Sequence, residues 1–105
     1  MLTDPKAQAD LAASFQEAVV DSLVSRAWLA LEQTGCERLV VCGGVAANGH
    51  LRRVLQDRAA AAGTGLFLPP LHLCGDNAAM VAAAGYHLLA AGQSLDLAAD
   101  VFSRG

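Results

Sequence analysis

Between Thr3 and Gly35 the chain reads as one uninterrupted helical pattern. Leu11, Phe15, Val19, Leu23, Ala27 and Leu31 recur at every fourth position, and Val20, Val24 and Trp28 widen the stripe. Gln16, Glu17, Asp21, Ser25 and Glu32 fill polar positions. This spacing predicts a long amphipathic helix. Thr3-Asp4-Pro5 supplies its start, a capping side chain followed by a proline whose missing N–H costs nothing in the first turn. Gly35 stops it.

The pattern then changes period. Arg38 to Cys42 is a short apolar run without alternation, which predicts a strand buried on both faces. Gly43-Gly44 end it. A helix is expected from about Ala47 to Ala62, with Leu51, Val54 and Leu55 on its inner face and Gly63 closing it. Leu66-Phe67-Leu68 reads as a second strand, stopped by Pro69-Pro70. Leu71 to Cys74 reads as extended and leads into a third helix from about Asp76 to Ala91, ended by Gly92. The tail from Ser94 to Gly105 is weakly amphipathic, a short helix or a frayed end. The order is α-β-α-β-α, and two strands joined by a helical crossover should be parallel neighbours. Two strands alone make a poor sheet, so the pattern predicts an α/β lobe completed by something else.

Composition supports that. Of the 105 residues 54% are hydrophobic and only 16% charged, more apolar than a free-standing domain of this size needs. An apolar face is therefore expected to be covered by a partner surface. The net charge of −3 and the scattered basic residues exclude a nucleic-acid footprint on this chain alone. Three cysteines (Cys36, Cys42 and Cys74) cannot all pair with one another, and no C-x-x-C is present. Reduced thiols in a cytoplasmic protein are the expectation. No apolar run approaches the ~20 residues that span a bilayer.

Candidate chemistry sits at two helix starts. Gly43-Gly44 follow a strand, precede a helix and have a polar Asn48 close behind. Glycines there either satisfy a turn that needs positive φ, or let a phosphate or nucleotide approach backbone amides at a helix N-terminus. The spacing is neither a Walker loop nor G-x-G-x-x-G. Asn48 is either a helix cap or an amide aimed at a ribose hydroxyl or an adenine edge. Asp76, beside Gly75, is either the N-cap of the third helix or a hard-metal ligand. His72, Cys74 and Asp76 alternate, but a zinc site lacks a fourth ligand nearby. Cys42 and Cys74 read as small buried thiols, and His50 and His87 as surface positions on helices. No Ser-His-Asp or His-Glu-x-x-His constellation is present.

Several segments, in order and with matching spacing, resemble one family. They are Asp10-Leu11-Ala12-Ala13-Ser14-Phe15-Gln16-Glu17-Ala18-Val19-Val20, then Leu39-Val40-Val41-Cys42-Gly43-Gly44-Val45-Ala46-Ala47-Asn48 with Leu51-Arg52. Pro69-Pro70-Leu71, Cys74-Gly75-Asp76-Asn77-Ala78-Ala79-Met80 and Gly85 follow. The resemblance, over roughly residues 9–92, is to the TsaD family, also called Gcp or YgjD, and Kae in archaea and eukaryotes. It implies part of a tRNA threonylcarbamoyltransferase, which moves threonylcarbamoyl from threonylcarbamoyl-AMP to N6 of adenosine 37. It also implies an actin-like ATPase fold, of which residues 1–105 would be a single C-terminal subdomain with 93–105 as a tail.

By the resemblance, Asp76 is one ligand of a divalent metal, iron with zinc or magnesium as alternatives. Gly43, Gly44 and Asn48 line the pocket for ATP or threonylcarbamoyl-AMP, and no residue is a general base. Expected partners are tRNA through the full assembly, TsaB- and TsaE-like proteins, and a missing N-terminal lobe or a second copy at the apolar face. The chain departs from the family in having no His-x-x-x-His pair and no Asp-x-Gly phosphate elements, and in carrying Gly75 where Thr is usual. The isolated chain is therefore expected to be inactive. Two rival readings are a fragment of a HypF- or NodU-like carbamoyltransferase and a non-catalytic interaction module.

Overall fold

A computed structural model describes residues 4–102. It contains three α-helices and a two-stranded parallel sheet. The chain divides into a larger unit ending at Gly75 and a smaller one beginning at Asp76.

Helix α1 runs Pro5–Thr34, about 45 Å at 1.5 Å per residue. Asp4 caps it, its carboxylate accepting from Lys6 N at 3.0 Å, and Pro5 opens the first turn. Thr3, part of the expected start signal, lies outside the described residues. Gly35 ends the helix at φ +67°. The buried residues of α1 are Val20, Val24 and Trp28. The fourth-residue row Leu11, Phe15, Val19 and Leu23 is exposed instead. The reason is geometric: a step of four residues overshoots a full turn by about 40°. A row that long winds around the helix, and only one short stretch of the stripe can face the core.

Strand β1 spans Arg38–Val40 and β2 Gly65–Phe67, paired in parallel with Leu39 opposite Leu66. β1 is shorter than the sequence suggests, whereas β2 has the expected three residues, shifted by one position. The ladder nonetheless continues through Val41 N to Phe67 O at 3.1 Å and Gly65 N to Glu37 O at 2.9 Å. The expectation that Arg38–Cys42 is buried on both faces is not met. Leu39 and Val41 turn toward the core, while Val40 is 69% exposed and Cys42 is exposed. Helices cover one face of this sheet, and no described element of the larger unit covers the other.

Helix α2, Gly49–Ala62, is the crossover between the strands and ends at Gly63, φ +67°. Its Leu51, Leu55 and Ala59 pack against Val20, Val24 and Trp28, with Leu39, Val41, Val54, Leu66 and Leu68 around them. Two i, i+4 rows therefore meet over the sheet and form the core of the larger unit. Arg58 lies over the Trp28 ring, 4.9 Å from its centroid.

The segment after Pro70 is not extended. Leu71–Leu73 forms a single 3-10 turn. In the smaller unit, α3 spans Ala78–Ala90 and has no buried residue. Asn77, not Asp76, is its N-cap, accepting from Met80 N at 2.9 Å. After Gly92, at φ +76°, the described tail has turns but neither helix nor strand. Among the described residues no helix is long and apolar enough to cross a membrane.

Candidate functional site

The glycine pair sits where β1 gives way to α2. Gly43 has φ +98° and ψ 174°, a region of backbone space open essentially to glycine alone. Gly44 begins a 3-10 turn, Gly44–Ala47, that intervenes between the strand and α2. The turn is closed by Ala46 N donating to Gly43 O and Asn48 N donating to Val45 O, both at 3.0 Å. A Cβ placed on either Gly43 or Gly44 would meet nothing within 4 Å. The backbone is bare on that side, with room for a ligand to approach it.

Asn48 is the N-cap of α2. Its Oδ1 accepts from Leu51 N at 2.9 Å, and its Nδ2 donates to Gln16 Oε1 at 3.1 Å. One further Nδ2 hydrogen and one Oδ1 lone pair are chemically available to a ligand. Two polar residues of α1 thus secure the start of α2. Gln16 holds Asn48, and Glu17 Oε2 lies 2.6 Å from His50 Nε2. The adjacent polar pair Gln16-Glu17 and the nearby Asn48 and His50 were the available signal, but only the fold shows which residues they meet.

Arg52, in sequence one of an adjacent basic pair with Arg53 and part of the family-like Leu51-Arg52 segment, has a structural role that the sequence does not show. It joins the glycine turn to the segment after β2. Its Nε donates to Ala46 O at 2.6 Å, and its Nη2 donates to Pro69 O at 2.6 Å and Cys74 Sγ at 3.0 Å. Cys74 is 3% exposed, the buried thiol expected. Cys42, just beyond the end of β1, is exposed, contrary to expectation.

Asp76 begins the smaller unit and is exposed. Because Asn77 provides the cap, the carboxylate of Asp76 is not consumed in starting α3. The alternation of His72, Cys74 and Asp76 does not exist, since the 3-10 turn at Leu71–Leu73 and the helical conformation of Cys74 break it. Among the described residues no three His, Cys, Asp or Glu side chains are grouped to hold a metal ion. The structure thus brings Gly43, Gly44 and Asn48 together on one turn, while Asp76 belongs to the second unit.

The sequence model of the TsaD family, described as tRNA N6-adenosine threonylcarbamoyltransferase, matches residues 2–83. Among curated relatives of that same name, the protein of Pelobacter propionicus is 52% identical over 98 residues, 92% of this chain and 29% of the relative. That of Dictyoglomus turgidum is 51% identical over 89 residues, 85% of this chain and 27% of the relative. That of Anaeromyxobacter dehalogenans is 52% identical over 97 residues, 90% and 29% respectively. The chain therefore spans less than a third of the length of these relatives. Matched across most of its own residues, it belongs to the TsaD family.

Proposed function

We propose that this chain contributes the Gly43–Asn48 nucleotide-facing turn and the Asp76 carboxylate to a tRNA threonylcarbamoyltransferase. The observation that carries the reading is the bare backbone at Gly43 and Gly44, at the start of α2, in a chain of this family. Residues 1–105 act as one C-terminal subdomain of an actin-like fold, with 93–105 as a tail. The α/β core with its parallel strand pair is compatible with such a lobe.

The chemistry assigned to these residues is binding and orientation. Amides at a helix N-terminus carry positive partial charge and suit the phosphate of ATP or threonylcarbamoyl-AMP. The spare capacity of the Asn48 amide suits a ribose hydroxyl or the adenine edge. In the transfer, the N6 amine of adenosine 37 attacks the carbamoyl carbon, a C–N bond forms, the C–O bond to AMP breaks and N6 loses a proton. Holding the adenylate rigidly is what this turn offers that step. None of these residues is assigned as a base.

The described residues do not by themselves fit a metal. A divalent ion needs several donors, and only Asp76 is assigned here. We place Asp76 as one ligand of a divalent ion, iron by family likeness, whose other ligands lie outside these residues. The apolar surfaces at Leu11, Phe15, Leu23 and Val40 are read as faces covered in the longer protein. TsaB- and TsaE-like proteins in the cytoplasm would be its partners.

The test is transfer in vitro. The longest natural product that carries this sequence, incubated with tRNA and threonylcarbamoyl-AMP, should yield modified tRNA and free AMP in equal amounts. The 105-residue chain alone should yield neither. Absence of transfer by the longest product, with partner proteins added, would overturn the reading.

A further inference from the structure

We infer that Arg52 is a positioning residue, a lock that fixes the Gly43–Ala47 turn against the segment from Pro69 to Cys74. Its role in function rests on the reading just given, because that segment continues directly into Asp76. The lock itself is a property of the larger unit.

The need for it follows from the chain chemistry. Pro69 and Pro70 have no N–H, so the segment leaving β2 cannot be held by its own backbone donors at those two positions. It can be held through acceptors. Pro69 O accepts from Arg52 Nη2, and the buried thiol of Cys74 receives the same nitrogen. Cys74 Sγ also lies 3.6 Å from Pro70 O, where its S–H faces a carbonyl. On the other side, Arg52 Nε satisfies Ala46 O in the short turn behind the glycines. Ala46 is 2% exposed, and a carbonyl in such a turn needs a partner.

One planar group therefore meets three acceptors from two segments. Arginine suits this because its N–H groups are held in a fixed fork. A lysine ammonium is a single point on a flexible stem and cannot span both segments in the same way. Arg53, next in sequence, is exposed and has no such arrangement, so it serves as the internal control.

The first test needs no variant. In the nitrogen–proton spectrum of the intact chain, the Arg52 Nε–H should exchange with water at least tenfold more slowly than that of Arg53. Equal exchange would overturn the lock. The second test maps alkylation of the three thiols by N-ethylmaleimide, read by mass spectrometry. Cys36 and Cys42, both exposed, should react at least tenfold faster than Cys74. In Arg52→Met the Cys74 rate should rise tenfold or more, with the fluorescence of core Trp28 unchanged as a reporter that the larger unit stays folded. Arg52→Lys should fall between. Cys74 protection unaltered in both variants would sink the inference.

The functional arm separates the two claims. In the longest product carrying this sequence, Arg52→Lys should raise KM for threonylcarbamoyl-AMP at least fivefold, and Arg53→Lys should not. Wild-type protein without transfer activity would defeat the proposed function and leave the lock standing. An active wild type with an unprotected Arg52 Nε–H would defeat the lock alone.

Discussion

Gly43→Ala and Gly44→Ala should behave differently although the residues are neighbours with equal room around them. At Gly43 the backbone holds φ +98° and ψ 174°, and forcing a side chain there costs about 1–3 kcal/mol. Alanine also restricts the unfolded chain, which returns about 0.4–1 kcal/mol, so the net loss is of order 1–2 kcal/mol. Gly44 has no positive φ, and its Cβ would meet no atom within 4 Å. Only the unfolded-chain gain operates there, leaving that variant as stable as the parent or slightly more so. Urea unfolding can be followed through Trp28, the only tryptophan, which lies in the core. With a slope of about 1 kcal/mol per molar for so small a unit, the two midpoints should separate by roughly 1 M or more. Coincident midpoints would refute the assignment of strain to Gly43 and with it the geometry of the turn. Gly44→Ala carries a second expectation. Its methyl group occupies the bare side of the backbone, so it should weaken ATP binding by the longest product while stability is kept.

Other residues give independent checks. Leu55→Ala empties a core position that is 2% exposed and should cost about 2–5 kcal/mol, whereas Leu97→Ala, at a fully exposed site, should leave the urea midpoint unchanged. Asn77→Ala removes the cap of α3 and about 1 kcal/mol of helix stability, visible as lost protection of the Met80 amide in hydrogen exchange. Asp76→Ala should leave that amide as protected as in the parent, because Asn77 supplies the cap. If Asp76→Ala also exposes it, Asp76 is a cap and its carboxylate is not available as a ligand.

How far the sequence reached can be traced in single residues. Asp4, Pro5, Gly35 and Gly63 marked the ends of helices correctly because their capping chemistry is local. The parallel pairing of β1 and β2 followed from the crossover rule, which needs no packing detail. The same could not be said of Val40 and Cys42. Apolar character shows that a residue is suited to burial, not that a covering layer is present. Asn77 displaced Asp76 as cap because both side chains can serve, and the choice depends on which backbone turns extended, as Asn77 does at φ −148°. At the glycine turn, Gly43, Gly44 and Asn48 were legible from the strand, glycine and helix sequence. The supports Gln16, Glu17 and Arg52 were not, since their partners lie 32, 33 and up to 22 residues away.

Threonylcarbamoyladenosine in bulk tRNA is the most direct measure of the account. It should be quantified in source cells whose own gene carries Asp76→Asn, with the protein level checked by an antibody to residues 38–58. The modified nucleoside should be lost while the protein remains at its normal level. Undiminished modification with the variant as the sole copy would contradict the assignment of Asp76 and the function built on it.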